Sequence, residues 1–396
     1  MPNFAPNRVS RFARTNARSN YRVFGIKAAD RFSHMYVIGK TGTGKTNLLE
    51  TLVRQDIAAG AGLALLDPHG DLVERVAQSI PAHRAGDVIY FNAPDERQPY
   101  GYNPLKHVPV DRRPLAASGM LETFHMQWGE RAWGQRIEHV LRNALLALLD
   151  QDKATLLDVL RLFHDGTFRK QVGAAVRHEP VRDFWLREFP KYSYRYRADS
   201  VAPIQNKVGA FLADPRLHRI LTEAKSPISV RRAMDQGKVV LVNLSKGKLG
   251  SDSSSLLGGL LVTTIGLAAY SRADLAESER QAFWLYVDEF QSFTTLSVAN
   301  MLSELRKYRV GMVLAHQYLH QLAPDVRQAV LHNAGTLASF RLGANDAHLI
   351  AQEFAPTFVA EDFIGLPNYH IYLKLMIDGA VTPPFSATTL RPDATS

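Results

Sequence analysis

Apolar residues gather in short runs along the chain, most of them closed by Gly, Asp or Asn: 35–39 (MYVIG), 63–67 (LALLD), 88–92 (VIYFN), 239–243 (VVLVN), 283–288 (FWLYVD) and 312–316 (MVLAH). Two more, 336–342 (TLASFRL) and 370–376 (HIYLKLM), follow near the end. Each has the length of a strand, and the first six are apolar nearly throughout instead of alternating. Strands of that kind are buried on both faces, so the pattern predicts a mainly parallel sheet with helices packed on either side. Between the third and fourth runs the period changes. In 137–149 (IEHVLRNALLALL) the apolar residues stand at 137, 140, 141, 144, 145, 148 and 149, the spacing of an amphipathic helix. Residues 109–225 therefore read as an inserted all-α domain, and the sheet domain as 34–108 joined to 226–381. Residues 1–33 read as a basic N-terminal segment, and 382–396, with three prolines, as a partly ordered tail.

With 46% of its 396 residues hydrophobic, the chain can bury a sizeable core. It contains no cysteine, which excludes disulfides, thiolate metal sites and thiol nucleophiles. The net charge is +9 and unevenly spread. Residues 1–33 carry Arg8, Arg11, Arg14, Arg18, Arg22, Lys27 and Arg31 against Asp30 alone, and residues 110–225 hold a further excess of cations. A polyanion would be drawn to both regions, because each phosphate contact releases condensed counterions. Nucleic acid fits both; anionic lipid competes for the N-terminus, and a solvated basic tail is the plain alternative. The first residues have spaced arginines and no apolar core, so they are not a secretory signal. The longest uncharged run, 253–271 (SSSLLGGLLVTTIGLAAYS), reaches membrane-spanning length at 19 residues. Ser, Gly and Thr dilute it and strand-like segments flank it, so it reads as a buried helix, and no membrane span is expected.

Directly after the first apolar run, Gly39-Lys40-Thr41-Gly42-Thr43-Gly44-Lys45-Thr46 satisfies G-x-x-x-x-G-K-[ST] at every fixed position, and helical spacing follows at Leu48, Leu49, Leu52 and Val53. Glycines let successive backbone N–H groups turn toward a phosphate, and the helix N-terminus adds a favourable dipole. Lys45 would reach the β- and γ-phosphates of ATP, and the Thr46 hydroxyl would ligate Mg²⁺. The nucleotide-binding candidates are Gly39, Thr41, Gly42, Thr43, Gly44, Lys45, Thr46 and the adjacent Asn47.

The run 285–289 (LYVDE) ends in two acids. Asp288 would join Thr46 in holding Mg²⁺, and Glu289 would polarise the attacking water as general base. Gln317 follows the strand 312–316 at its carboxyl end, where ligands bind in open α/β sheets, and could sense the γ-phosphate or the lytic water. His316 beside it reads as a packing residue. Arg306, in 305–309 (LRKYR), is a candidate arginine finger acting on a neighbouring subunit, or else an exposed helix arginine or DNA contact. Asp67 and His69 stand just beyond another strand. Asp67 either caps the following helix or supports the Mg²⁺ site, and His69 has no second histidine at ligand spacing.

Taken together, 24–46 (FGIKAADRFSHMYVIGKTGTGKT), 64–71 (ALLDPHGD), 102–105 (YNPL), 239–250 (VVLVNLSKGKLG), 285–293 (LYVDEFQSF) and 305–317 (LRKYRVGMVLAHQ) make the chain resemble the FtsK/HerA superfamily of DNA-pumping ATPases. Within it the likeness is to the conjugative, type IV secretion coupling-protein branch, of the TraD and TrwB kind. The resemblance implies a RecA-like P-loop NTPase domain interrupted by an all-α domain, a homo-oligomer of six subunits, and ATP-driven passage of DNA through a central channel. It also implies that Arg306 matches the family's RKY arginine, Gln317 its sensor glutamine, and Asp288 with Glu289 its second acidic motif. Membrane-anchored members carry transmembrane helices before the motor, where some 30 polar, basic residues stand here. The expectation is a cytoplasmic protein, or one held at the inner face of the membrane through secretion-channel or relaxosome proteins.

Among candidate DNA contacts, 191–197 (KYSYRYR) alternates cations with three tyrosines that could stack on bases or pack inward, and Lys246 and Lys248 could face a channel or lie in a surface turn. Two other functions fit the motifs: a cytosolic HerA-like DNA-processing motor, and a nucleotide-gated scaffold that never moves along DNA.

Overall fold

The computed structural model describes residues 5–16, 21–129, 133–222 and 226–395. Arg18 of the basic segment and Lys225 at the expected domain boundary lie outside them. The described chain forms two compact units, one made of residues up to Phe91, Arg231–Ser245 and Arg272 onward, the other of Asn92–Val230 and Lys246–Ser271.

The first unit is built on an eleven-stranded sheet. Its strands are β1 (Val9–Thr15), β2 (Val23–Lys27), β3 (Met35–Ile38), β4 (Gly62–Asp67), β5 (Val88–Asn92), β6 (Val239–Asn243), β7 (Phe283–Val287), β8 (Val310–His316), β9 (Thr336–Ser339), β10 (His370–Lys374) and β11 (Phe385–Thr389). They lie in the order β2-β1-β11-β10-β9-β3-β8-β7-β4-β6-β5. From β9 through β3, β8, β7 and β4 to β6 every neighbour is parallel. These are the apolar runs of the sequence, and β3, β4, β6, β7 and β8 are buried along their whole length. From β2 through β1, β11 and β10 to β9 the sheet turns antiparallel. There β10 alternates between buried and half-buried residues, as one-sided cover requires.

Helices α1 (Lys45–Ala58) and α2 (Asp71–Gln78) cover one face of the parallel part. Leu48, Leu49, Leu52 and Val53 of α1 and Leu72, Val73 and Val76 of α2 share a core with Val37, Leu65, Leu241, Tyr286 and Ala315 of the sheet. Fully burying one such aliphatic side chain contributes about 1.5–3 kcal/mol, so this face alone locks α1 in place.

The ends of the chain differ from expectation. The described part of the basic N-terminal segment is not a solvated tail, because it supplies β1 and β2. In β1 the exposed Arg11 and Arg14 flank the fully buried Phe12 and Ala13, so a strand with one apolar face is hidden in the sequence under its charges. Residues 382–395 are likewise more than a partly ordered tail: β11 lies between β1 and β10, with Ala387 fully buried. Pro383 and Pro384 precede the strand, where a missing N–H costs no ladder bond.

The second unit is helical, apart from a two-residue parallel pairing of Tyr100–Gly101 with Ser226–Pro227. It contains α3 (Arg113–Trp128), α4 (Gln135–Leu149), α5 (Tyr194–Ala213) and α6 (Ser251–Ser271). The seven apolar positions predicted for 137–149 are all buried in α4. Expectation placed 226–381 wholly in the sheet domain, whereas α6 belongs to the helical unit. Small residues bring α3 and α6 together: a Cβ on Gly119 would meet Thr263 at 2.5 Å, and one on Gly259 would meet Thr123 at 2.7 Å. Among the described residues α6 is the one helix long and apolar enough to cross a membrane, and 83% of its apolar window is buried within the protein.

Candidate active site

Three adjacent parallel strands deliver the predicted residues to one edge of the sheet. Ile38 of β3 is in register with His316 of β8, and Leu314 of β8 with Val287 of β7, so all three strands run out together. The glycine-rich loop follows β3, Asp288 and Glu289 follow β7, and Gln317 follows β8 between them. A cleft of about 210 Å³ is lined by Thr41, Gly42, Gly44, Lys45, Thr46, Asn47, His69, Asp288, Glu289, Gln317 and Tyr369. Gly39 and Thr43 complete the loop behind it.

The loop can be built only with its glycines in place. Gly42 and Gly44 have φ of 76° and 120°, values that side-chain-bearing residues rarely adopt. Gly39 has no room for a Cβ, which would come within 2.5 Å of Phe340. Thr43 fixes the turn by donating its hydroxyl to Lys40 O at 2.7 Å. Lys45 folds back over the loop, its ammonium donating to Gly39 O at 2.6 Å and Lys40 O at 3.1 Å. Burial pulls its pKa down, while the charges of Glu289 and Asp288 act in the opposite sense.

Opposite the loop, a chain of polar contacts spans the cleft. The Thr41 hydroxyl donates to Gln317 Oε1 at 2.9 Å, and Gln317 Nε2 donates to Glu289 Oε1. The other Glu289 oxygen accepts from Gln291 Nε2 at 2.5 Å. Glu289 itself sits at φ 48°, ψ 47°, a left-handed conformation that turns the chain sharply after β7. Gln291 was not singled out in the sequence, although it stands two residues beyond the acidic pair in the same motif.

Asp288 is buried and accepts the Glu289 N–H at 2.9 Å. Burial, with the charges of Asp67 and Glu289, pushes its carboxyl up to about 7. Asp67 takes the capping role: its oxygens accept the N–H groups of His69 at 2.8 Å, Leu72 at 2.8 Å and Val73 at 3.2 Å, closing the N-terminus of α2. Its charge nevertheless acts on Asp288, so the two alternatives for Asp67 are not exclusive.

His316 is buried, paired with the Tyr36 hydroxyl at 2.8 Å through Nδ1, and burial lowers its pKa to about 3. Arg306 is not in the cleft. It lies before β8, exposed, at the opposite end of the strand from Gln317. Seven residues of strand separate the two edges, roughly 20 Å. In 191–197, Tyr192 and Tyr196 pack against each other at 4.2 Å while Tyr194 is 90% exposed, so the segment divides between the two readings. Lys246 and Lys248 fall in the short helix Lys246–Leu249 of the helical unit. Tyr369 lines the cleft without any signal in the sequence.

These residues suit a triphosphate and a divalent cation. The first turn of α1 has no side-chain cap, leaving its N–H groups to an anion. A buried carboxyl crowded by two other acids, in a cleft that Thr46 also lines, calls for a cation. No group of three His, Cys, Asp or Glu able to hold a metal occurs among the described residues.

A family model described as the type IV secretion-system coupling protein DNA-binding domain matches residues 24–340. The fold is that of the plasmid coupling protein TrwB. Its complex with the GTP analogue GDPNP aligns at a TM-score of 0.68 with 16% identity, covering 98% of this chain and 97% of that one. Its complex with ADP and Mg²⁺ aligns at 0.69 with 16% identity, covering 98% and 96%. VirB4 of Thermoanaerobacter pseudethanolicus aligns at 0.63 with 14% identity, covering 99% and 97%. No curated protein matches the chain by sequence.

Proposed function

The chain belongs to the type IV secretion-system coupling protein DNA-binding domain family, and from that premise we propose that it is an ATP-hydrolysing, ring-forming DNA translocase of the conjugative coupling kind. The observation that carries this reading is the convergence of Lys45, Asp288, Glu289 and Gln317 on one cleft at the carboxyl edge of the parallel strands.

In this reading the sheet unit is the motor and the helical unit its inserted domain. Gly39, Thr41, Gly42, Thr43, Gly44 and Asn47 shape the phosphate cradle, and Lys45 exchanges the carbonyls of Gly39 and Lys40 for β- and γ-phosphate oxygens. Thr46 and Asp288 hold Mg²⁺, which when bound neutralises phosphate charge and keeps Asp288 ionised. Glu289 accepts the proton of the attacking water, held toward the loop by Gln317 and Gln291 on its two oxygens. Gln317, bridging Thr41 and Glu289, registers whether the γ-phosphate is present. Arg306 works in trans: its place at the opposite edge of the sheet suits a head-to-tail interface, in which a neighbour's cleft receives it. The likeness to coupling-protein ATPases supports six subunits closing a ring around DNA. The protein acts in the cytoplasm and meets secretion-channel or relaxosome proteins at the inner face of the membrane.

The test is ATP turnover against DNA. Lys45→Ala should lose nucleotide binding, and Glu289→Gln should bind ATP with turnover reduced at least a hundredfold. DNA should stimulate the wild-type rate, the effect fading as salt rises. Robust turnover without directional displacement of a triplex strand would instead identify a nucleotide-gated scaffold.

A further inference from the structure

Tyr369 combines three properties that packing alone does not explain. It is a bulky residue at φ 65°, in the left-handed region. Its side chain is not part of the core, since the residue is 44% exposed. Its backbone is clamped from both sides: its N–H donates to Thr43 O at 2.8 Å, while its carbonyl accepts the N–H of Thr389 at 2.8 Å and the Thr389 hydroxyl at 3.1 Å. Strain held in place by surrounding bonds marks a residue kept for what its side chain does.

That side chain lies against the phosphate loop. A Cβ on Gly44 would meet Tyr369 Cδ1 at 2.9 Å. Thr41, Gln317 and Glu289 occupy the end of the cleft where a γ-phosphate would meet water. The nucleoside must therefore leave past the first turn of α1, where Thr46 and Asn47 line the cleft together with the Tyr369 ring. We infer that Tyr369 is the base-binding residue of the site, its exposed ring face stacking on the nucleobase of the bound nucleotide. This deepens the nucleotide-site reading and rests on it. Stacking on a ring is tolerant of base identity because every base has a π-face, so adenine and guanine nucleotides are held alike by this contact.

The experiment compares binding of a non-hydrolysable Mg–ATP analogue with binding of Mg–tripolyphosphate, which has phosphates and no base. Tyr369→Gly removes the ring while relaxing the left-handed backbone, and Tyr369→Phe keeps the ring. Tyr369→Gly should weaken the ATP analogue about tenfold and leave tripolyphosphate unchanged, with Tyr369→Phe close to wild type for both. A parallel loss for both probes would overturn the inference, assigning the ring to propping the loop, and so would an unchanged affinity for the analogue in Tyr369→Gly. If the wild-type chain bound neither probe, the nucleotide-site reading itself would fall first, and this inference with it.

Discussion

Replacing Asp56 by Asn should cost more stability than its position, remote from the cleft on the last turns of α1, would suggest. The Asp56 carboxylate is completely buried and accepts four donors: Arg31 through both terminal nitrogens at 2.7 and 2.8 Å, Arg8 at 2.6 Å and the Tyr286 hydroxyl at 2.6 Å. Arg31 is nearly as buried and rests 4.0 Å over the Trp284 ring. Burial works against its charge, but the neighbouring carboxylate and the Tyr286 hydroxyl outweigh that and raise its pKa further. Asparagine keeps the volume, so no cavity forms, but it cancels the countercharge and turns an N–H₂ toward a guanidinium that has no route to water. Breaking a buried pair in this way costs about 3–5 kcal/mol. Arg8, partly exposed, can turn to solvent and adds little.

The double variant Asp56→Asn/Arg31→Met removes the stranded charge and should be more stable than Asp56→Asn alone. Urea unfolding is the assay, read by the fluorescence of Trp284, with Phe in place of Trp128, Trp133 and Trp185 as a common background for every variant. The reasoning is refuted if Asp56→Asn costs under about 1 kcal/mol, or if the second substitution adds its own loss to the first.

Gly44→Ala should lower nucleotide affinity at least tenfold with a stability loss of about 1–3 kcal/mol, since alanine is strained at φ 120° and its methyl would collide with Tyr369 and Phe340; calorimetric titration beside thermal unfolding separates the two effects. Asp67→Ala should cost about 2 kcal/mol by uncapping α2, and a loss no larger than that of an exposed control substitution would show the three N–H bonds to be dispensable. Acid should destabilise the fold through its buried histidines. His34 accepts the Met312 N–H on Nδ1 at 3.0 Å and donates from Nε2 to Leu302 O at 2.8 Å; burial lowers it to about 4, helped by the charge of Arg306 and opposed by the bond to Leu302 O. The unfolded chain then takes up the proton first, so this stability is whole above pH 6.5 and lost as pH falls toward 4, a difference of about 3 kcal/mol for this one residue. Urea midpoints measured from pH 7 to 4 should fall accordingly, and a flat profile would contradict the assignment.

The sequence by itself determined the parallel half of the sheet and the phosphate loop. Both rest on local physics: a short run apolar at every position and closed by Gly, Asp or Asn suits a strand covered on both faces, and G-x-x-x-x-G-K-T after such a strand has few other backbone solutions. It also placed Asp288, Glu289 and Gln317 at strand ends, because the carboxyl edge of a parallel sheet is a fixed location. Of the antiparallel half, β10 was legible as the run 370–376 and the other strands at its far edge were not. β1, β2 and β11 need apolar residues on one face only, and among exposed arginines and prolines Phe12, Ala13, Ile26 and Ala387 are too few to stand out.

Tertiary structure alone decided which charges are structural. Arg8 and Arg31 read as part of a basic, DNA-facing or solvated segment, yet they serve a carboxylate on α1, since only folding brings residues 8, 31, 56 and 286 to one point. Tertiary structure likewise moved α6 into the helical unit, where Gly119 and Gly259 find their opposite threonines, and set Tyr369 against a loop more than 300 residues away in the chain. Spacing along a sequence reports what one segment needs for itself. Which distant side chains share a buried charge, a close approach or a ligand is settled only when the whole chain is packed.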